Sequence, residues 1–100
     1  MKNIVLFCAA GMSTSLMVTK MQNAAKEKGY DCTIAAYSLN EMDKYGPEAD
    51  CILLGPQVRY QKDKVAAAFP DKPQMVIDMQ LYGMMKGKEV LEAAIKLMEG

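Results

Sequence analysis

Four short apolar runs, separated by longer amphipathic stretches, are the feature that most constrains the fold of this chain. The runs lie at residues 4–7, 33–36, 51–54 and 75–77. Alternation of strand-length apolar runs with helix-length amphipathic stretches is typical of βαβ units, in which crossover helices connect parallel strands. The sequence therefore predicts an α/β fold built on one four-stranded parallel sheet.

The composition of each run predicts its place in that sheet. Runs 4–7 and 51–54 are continuously apolar, as expected for central strands that helices cover on both faces. Run 33–36 carries smaller side chains and suits an edge. Because crossovers between parallel strands are right-handed, we expect the strand order 2-1-3-4, in an open three-layer arrangement with helices on both faces.

Helix signals lie between and after these runs. Apolar residues recur at helical spacing from Leu16, and Gly29 follows as a C-terminal cap. Ser38 and Glu41 have the spacing of a capping box. The expected helices span residues 16–28, 38–44, 57–69 and 88–98.

The expected topology also predicts where a ligand binds. In open parallel sheets, ligands bind beyond the carboxyl ends of the strands, beside the point where the strand order reverses. Strands one and three flank that point. The loops predicted at this edge are residues 8–15, 55–60 and 78–82, and we expect the functional residues within them.

The first of these loops has the composition of a phosphate site. It consists of Cys8, Ala9, Ala10, Gly11, Met12, Ser13, Thr14 and Ser15. Small residues let the backbone approach a ligand, Gly11 permits a positive φ, and the three hydroxyls can donate to phosphate oxygens. The helix that follows adds amino-terminal N–H groups and a dipole that favour an anion. That field favours a thiolate at Cys8, and equally a phosphate attached to its sulfur.

Cys8 also has a simpler interpretation, because cysteine is among the most buried residue types and often packs as a small apolar side chain. We favour a functional thiol, since the cluster of hydroxyls after it has no use in a core. Cys32 and Cys51 are not followed by an anion-binding loop and are predicted to be packing thiols.

Composition argues against several classes of protein. Twelve basic residues balance twelve acidic ones without a run of either sign, which argues against nucleic acid as a partner. The apolar run that ends at Phe7 is too short for a signal peptide or for a membrane span of about 20 residues. We expect one domain over residues 1–100, monomeric and cytoplasmic, with no insertion into a membrane.

The cysteine and histidine counts narrow the chemistry. Three cysteines without a CxxC pair argue against a disulfide framework and a thioredoxin-type redox pair. The absence of histidine argues against a zinc site, and it removes the usual general base for activating a cysteine. We therefore expect no metal and no cofactor.

The loop is similar to the phosphate loop of low-molecular-weight tyrosine phosphatases, in which a cysteine, five residues, an arginine and a hydroxyl residue surround the phosphate. Thr14 occupies the arginine position. A guanidinium clamps the transferring group and promotes hydrolysis, whereas hydroxyls and amides hold a phosphate without promoting its loss as strongly. The loop is thus suited to keeping a phosphocysteine. Two alternative functions remain: a cysteine-dependent phosphatase or reductase, and a non-catalytic phosphate-sensing module.

Three segments together resemble the IIB component of the phosphoenolpyruvate-dependent sugar phosphotransferase system, lactose/cellobiose type. They are LFCAAGMSTS at 6–15, LLGPQV at 53–58 and VIDMQLYG at 76–83, and the resemblance covers the whole chain. It implies a four-stranded parallel sheet flanked by helices. It also implies that Cys8 accepts a phosphoryl group from a phosphohistidine of the cognate IIA protein and passes it to a sugar bound by the membrane permease IIC.

Other residues at the same edge are candidates for supporting roles. Met12, Leu81 and Tyr82 could offer an apolar surface to these partners, or could fill gaps over the helices. Gln57 could hydrogen-bond the phosphate, brace the first loop, or cap a helix.

Two charged residues at this edge are given structural interpretations. Arg59, the one arginine of the chain, is expected to be a solvated helix residue, although it could reach the first loop. A phosphatase would use Asp78 as general acid, but a dianionic phosphocysteine would repel an ionised carboxylate, so a structural role is favoured.

Overall fold

A four-stranded parallel sheet forms the centre of the computed structural model, which describes residues 2–9 and 14–99. The strands are β1 (Lys2–Cys8), β2 (Cys32–Ser38), β3 (Cys51–Leu54) and β4 (Gln74–Val76). Their order is β2-β1-β3-β4, which confirms the predicted topology. The two continuously apolar runs are the central strands β1 and β3, and β2 lies at an edge, as predicted.

The register of the sheet decides which residues meet at its carboxyl edge. Cys8 pairs with Ser38 of β2, and Phe7 pairs with Leu54 of β3. The N–H of Gly55 continues this ladder by donating to the Phe7 carbonyl at 2.9 Å. The last residue of β1 is thus flanked by the ends of both neighbouring strands.

Helices cover both faces of the sheet. The described residues form α1 (Thr14–Lys28), α2 (Met42–Tyr45), α3 (Lys62–Ala68), α4 (Met79–Gly83) and α5 (Gly87–Glu99). They also form short 3-10 helices at Leu39–Glu41, Gly46–Glu48 and Pro56–Gln61. No helix within residues 2–9 and 14–99 is long and apolar enough to cross a membrane.

The side chains of β1 divide the core into two layers. Ile4 and Leu6 pack with apolar residues of α1 and α5 on one face. Val5 and Phe7 pack on the other face with residues of α2 and α3. Burial on both faces explains why β1 appears in the sequence as an uninterrupted apolar run. The strand that ends at Cys8 is therefore held rigidly from both sides.

The caps of two helices agree with the sequence. Gly29 has a φ of 66° and ends α1, as predicted. The N–H of Tyr30 donates to the Ala25 carbonyl at 3.0 Å, which is the long hydrogen bond of a Schellman motif. Ser38 accepts the N–H of Asn40 at 3.3 Å, and a 3-10 turn followed by α2 occupies the predicted segment.

The helix predicted over residues 57–69 differs from the observed structure. A 3-10 helix spans Pro56–Gln61, and α3 begins only at Lys62. Val58 has φ −115° and ψ 22°, outside α-helical geometry, and its side chain is buried against the layer that contains Phe7. Packing of this side chain onto the sheet replaces a continuous α-helix with a tight turn at the carboxyl edge.

The loop predicted at residues 78–82 is wrong, because α4 occupies most of this segment. Asp78 is the N-cap, and its Oδ1 accepts the N–H of Gln80 at 2.8 Å and of Leu81 at 3.3 Å. Such a cap stabilises a helix by about 1 kcal/mol. The cap fixes how the side chains of α4 are presented to the end of β1.

Candidate functional site

Cys8 lies at the carboxyl end of the central strand β1, where the predicted site was placed. Its side chain is buried, with 5% of its surface exposed. Its Sγ lies 3.8 Å from the Tyr37 carbonyl oxygen, so the thiol can donate a weak hydrogen bond to the end of β2.

The segment between β1 and α1 contains most of the predicted phosphate loop. Ala10, Gly11, Met12 and Ser13 lie outside the described residues. Ala9 is partly buried against the core layer of Phe7 and Val5. α1 begins at Thr14, and Ser15 is exposed in its first turn.

The start of α1 brings the positive end of a helix dipole to the carboxyl edge of the sheet. α1 has 15 residues and contains no acidic residue in its first turn. Its unpaired amino-terminal N–H groups and its dipole favour negative charge nearby. The chain thus returns to the same edge of the sheet, six residues after Cys8, with a polarity suited to an anion.

Gly55 forms the neighbouring wall of the site at the end of β3. A Cβ placed on this residue would lie 3.5 Å from the Cβ of Cys8 and 2.6 Å from Oε1 of Gln57. The second distance is shorter than real Cβ contacts allow, so the Gln57 amide occupies space that only glycine leaves open. The structure thus brings the predicted residue Gln57 beside the base of Cys8.

Tyr82 of α4 lines the same cavity as Gln57. Tyr82 is 6% exposed, and neither its Oη nor Oε1 of Gln57 has a hydrogen-bond partner among the described residues, although both atoms are buried. A buried polar group without a partner costs about 1–3 kcal/mol. These two atoms therefore need an explanation beyond packing.

The pKa of the Tyr82 phenol depends on burial and on its neighbours Gln57 and Cys8. Burial raises this pKa, hydrogen bonding from Gln57 opposes the rise, and the charge of a Cys8 thiolate adds to it. The Gln57 amide and the Tyr82 phenol are thus close neighbours, and both residues line one cavity. Tyr82 Oη nevertheless forms no hydrogen bond with Gln57.

An open cavity of about 270 Å³ lies against this pair. Its lining residues are Pro56, Gln57, Arg59, Met79, Tyr82 and Gly83. Met79 is 60% exposed and is the large exposed apolar side chain of this lining. The cavity joins an apolar surface to the polar pair beside Cys8.

The other residues that the sequence singled out at this edge make packing contacts or local hydrogen bonds. Leu81 is partly buried and packs against the core layer of α1 and α5. Arg59 is exposed, and its Nη1 donates to the Pro56 carbonyl at 3.1 Å, within its own turn. Asp78 is occupied as the cap of α4.

Cys32 and Cys51 are placed as the sequence predicted, within strands. Cys51 is fully buried, and burial, together with the nearby charge of Asp50, raises the pKa of its thiol to about 12. Burial also raises the pKa of Cys32. No disulfide joins the three cysteines of the chain. The described residues contain no group of three or more potential metal ligands.

Three features of the site were not found by reasoning from the sequence. The Tyr37 carbonyl is a backbone group, and its place beside Cys8 depends on the register of β2. Gly55 was predicted only to lie in a loop, since its close approach to Gln57 depends on a side-chain conformation. Nothing in the sequence marked Met79 as exposed, because an apolar residue in a predicted loop can face inward or outward.

Similarity to known proteins is extensive. Residues 3–93 match the family described as PTS system, Lactose/Cellobiose specific IIB subunit. The galactose-specific EIIB component of Lactococcus lactis subsp. cremoris is 51% identical over 97% of this chain and 96% of its own length. The cellobiose-specific EIIB component of Lactococcus lactis subsp. lactis is 50% identical over the same shares.

A solved structure agrees with these relatives in both fold and sequence. The solution structure of the cellobiose-specific phosphotransferase IIB component from Borrelia burgdorferi superimposes with a TM-score of 0.81 at 35% identity. The match covers 98% of this chain and 92% of that protein. This chain belongs to the lactose/cellobiose-specific IIB family and is a IIB component of the sugar phosphotransferase system.

Proposed function

We propose that this chain carries a phosphoryl group on Cys8, received from a phosphohistidine of a IIA protein and passed to a sugar bound by the membrane permease IIC. The observation that supports the proposal most is the position of Cys8 at the carboxyl end of β1, just before the start of α1. At this position the sulfur of Cys8 can act as the nucleophile, and the amino-terminal end of α1 can stabilise negative charge.

In the first step, the sulfur of Cys8 attacks phosphorus as the bond from phosphorus to the donor imidazole nitrogen breaks. The S–P bond forms, and the imidazole leaves with the electron pair of the broken bond and takes up the proton that the thiol loses. The donor histidine belongs to the partner, because this chain has no histidine. Phosphoryl transfer needs positioning and charge stabilisation rather than covalent help from the protein.

In the second step, a sugar hydroxyl attacks the same phosphorus and the S–P bond breaks. Cys8 leaves as a thiolate, and the hydroxyl proton passes to a base supplied by the permease. This chain contributes the bound phosphoryl group, and the permease contributes the acceptor. Sugar choice therefore belongs to the permease in this proposal, and relatives named for galactose and for cellobiose are almost equally similar to the chain.

The first loop holds the phosphoryl group between these steps. Backbone N–H groups of residues 9–15, the hydroxyls of Ser13, Thr14 and Ser15, and the dipole of α1 provide the stabilising charges. Because the loop has no arginine, it lacks the clamp with which tyrosine phosphatases promote hydrolysis. No metal or cofactor takes part.

The partners are proposed to dock on the carboxyl edge around Cys8. Met12 and the exposed Met79 provide apolar contacts there, with a smaller contribution from Leu81. In this proposal residues 1–100 act as one domain, a monomer in the cytoplasm between IIA and IIC.

The test is the intact mass of the chain after incubation with a phosphorylated IIA protein of the lactose/cellobiose type, phosphoenolpyruvate and the general phosphotransferase proteins. We expect a gain of one phosphoryl group, absent in Cys8→Ser and unchanged in Cys32→Ser. A label on another residue, or no label, would overturn the proposal. Rapid hydrolysis of an aryl phosphate by the chain alone would favour the phosphatase alternative.

A further inference from the structure

Gln57 and Tyr82 present a pair of buried polar atoms that the unphosphorylated site does not use. Tyr82 Oη and Gln57 Oε1 have no hydrogen-bond partner among the described residues, although both atoms are buried and Tyr82 is only 6% exposed. Polar groups are rarely buried in this way unless an ordered water, an ion, a ligand or a functional role accounts for them. The question is which group, absent from the unphosphorylated chain, would do so.

The position of the pair indicates a group attached to Cys8. Gln57 Oε1 and the Cβ of Cys8 both lie within contact distance of the point where a Gly55 Cβ would be. In this arrangement Oε1 is on the side of Gly55 and Cys8, and the Gln57 side chain lines the same cavity as Tyr82. A carbonyl oxygen suits a neighbouring thiol, which can donate a hydrogen bond, but it would repel a phosphoryl group.

We propose that Gln57 and Tyr82 are positioning residues for the phosphoryl group on Cys8, and that the Gln57 amide turns over when Cys8 is phosphorylated. In the turned orientation, Nε2 donates to a phosphoryl oxygen and Oε1 accepts a hydrogen bond from Tyr82 Oη. Both buried oxygens are then satisfied. Rotation about the terminal bond of Gln57 is sufficient, and no covalent bond changes beyond the phosphoryl transfer itself.

This assignment rests on the proposed phosphocysteine and explains how the site discriminates between its two states. A hydrogen bond to an ionised group is roughly twice as strong as one between neutral groups. The pair is therefore worth more to the phosphorylated state than to the thiol state. It shifts the equilibrium with the phosphohistidine donor toward Cys8 without an arginine, and it leaves the loop amides to hold the other oxygens.

The test compares Gln57→Met and Tyr82→Phe with the wild type. Gln57→Met removes the amide at similar length and without a charge, and Tyr82→Phe removes only Oη. Gln61→Met and Tyr60→Phe are matched controls, since Gln61 belongs to the same 3-10 helix and Tyr60 is 74% exposed. Each protein is equilibrated with a phosphorylated IIA protein of the lactose/cellobiose type, and the phosphocysteine is quantified by intact mass and 31P NMR.

We expect the equilibrium constant for phosphorylation of Cys8 to fall about tenfold in Gln57→Met and severalfold in Tyr82→Phe, with no change in the controls. The 31P titration midpoint of the phosphocysteine should move to higher pH, because the dianion loses a donor. Tyr82→Phe should add little in the Gln57→Met background. Thermal unfolding of the unphosphorylated variants should be unchanged or slightly higher, since a group without a partner is removed.

Several results would overturn the assignment. If both variants had the same phosphorylation equilibrium and the same 31P titration as the wild type, the pair would not contact the phosphoryl group. A loss of stability in unphosphorylated Tyr82→Phe, with a normal 31P titration, would show a structural role. If the wild-type chain gained no phosphoryl group on Cys8, the proposed function would fail together with the assignment, whereas normal labelling of wild type alongside unaffected variants would refute the assignment alone.

Discussion

The amide oxygen of Gln57 occupies the space that a side chain on Gly55 would need. The distance from Oε1 to a Cβ placed on Gly55 is 2.6 Å, whereas the backbone of Gly55, with φ −62° and ψ 149°, is one that any residue can adopt. A larger residue at this position is thus opposed by a neighbouring side chain and not by the backbone. The consequence is that the orientation of Gln57 can be changed without touching Gln57 or Cys8.

Gly55→Ala should therefore separate function from stability. The added methyl pushes the end of the Gln57 side chain away from Cys8, so phosphorylation of Cys8 should weaken about as much as in Gln57→Met. Alanine should leave the free energy of unfolding unchanged or raise it by up to about 1 kcal/mol, because the unfolded chain loses freedom. Intact-mass measurement of phosphorylation and urea unfolding check the two parts, and a large loss of stability would contradict the backbone argument.

Met79→Asp should weaken phosphoryl transfer from the IIA protein, because an interface would have to bury the new charge. Met79 is 60% exposed beside the cavity next to Tyr82. We expect the second-order rate of transfer to fall about tenfold or more, with the unfolding free energy changed by less than about 0.5 kcal/mol. Rapid-quench measurement of Cys8 labelling checks the rate.

Met84→Asp is the matched control for this interface. Met84 is 67% exposed but does not line the cavity. Transfer should stay near the wild-type rate in this variant. Equal effects of the two substitutions would indicate a general charge effect, and no effect of either would remove Met79 from the docking surface.

Gly87→Ala should destabilise the fold at the contact between α1 and α5. A Cβ placed on Gly87 would lie 2.6 Å from Lys20 Cβ and 2.8 Å from the Met21 backbone nitrogen, so the helices would have to separate. Overpacking of this kind costs about 1–3 kcal/mol, and the unfolding midpoint should fall by about 4–8 °C for each kcal/mol. Calorimetry measures both quantities.

Gly83→Ala provides the control, because a Cβ on Gly83 meets no atom within 4 Å. Alanine is also the better helix former by about 0.5–1 kcal/mol, so this variant should melt at or above the wild-type temperature. An unchanged midpoint in Gly87→Ala would mean that α5 shifts on α1 without cost.

The sequence predicted the sheet better than the site because the two depend on different kinds of information. Strand order follows from apolar runs and from the handedness of crossovers, which are properties of whole segments. β1 and β3 were recognised because burial on both faces leaves no polar residue within runs 4–7 and 51–54. The position of Cys8 follows directly, since it is the residue at which β1 ends.

The surroundings of Cys8 depend on how single side chains pack. Leu81 and Tyr82 were predicted either to face partners or to fill gaps over the helices. Tyr82 is buried and Met79 is exposed, because the cap at Asp78 fixes the orientation of α4. The turn at Val58 and the contact between Gly55 and Gln57 have the same origin. Such orientations are set by tertiary contacts, for which a single sequence carries no periodic signal.

The buried thiol of Cys51 should make stability fall as the solution becomes alkaline. Burial raises the pKa of this thiol from 9.0 to about 12 in the native state. Between these values the unfolded chain loses the proton while the native chain keeps it, so unfolding releases a proton and rising pH favours the unfolded state. The stability contributed by the protonated thiol is complete below pH 9 and is lost progressively up to about pH 12.

Urea unfolding at several pH values between 9 and 12 measures this effect by comparison with Cys51→Ala. Each unit of pKa difference corresponds to about 1.4 kcal/mol, so the wild type should lose up to roughly that amount of unfolding free energy per pH unit relative to the variant. Because the two proteins share every other ionisable group, the difference between their curves isolates the contribution of the Cys51 thiol. Cys32→Ala, which removes a partly exposed thiol, should alter the slope less. Parallel curves for wild type and Cys51→Ala would show that the thiol ionises in the native state as readily as in the unfolded chain.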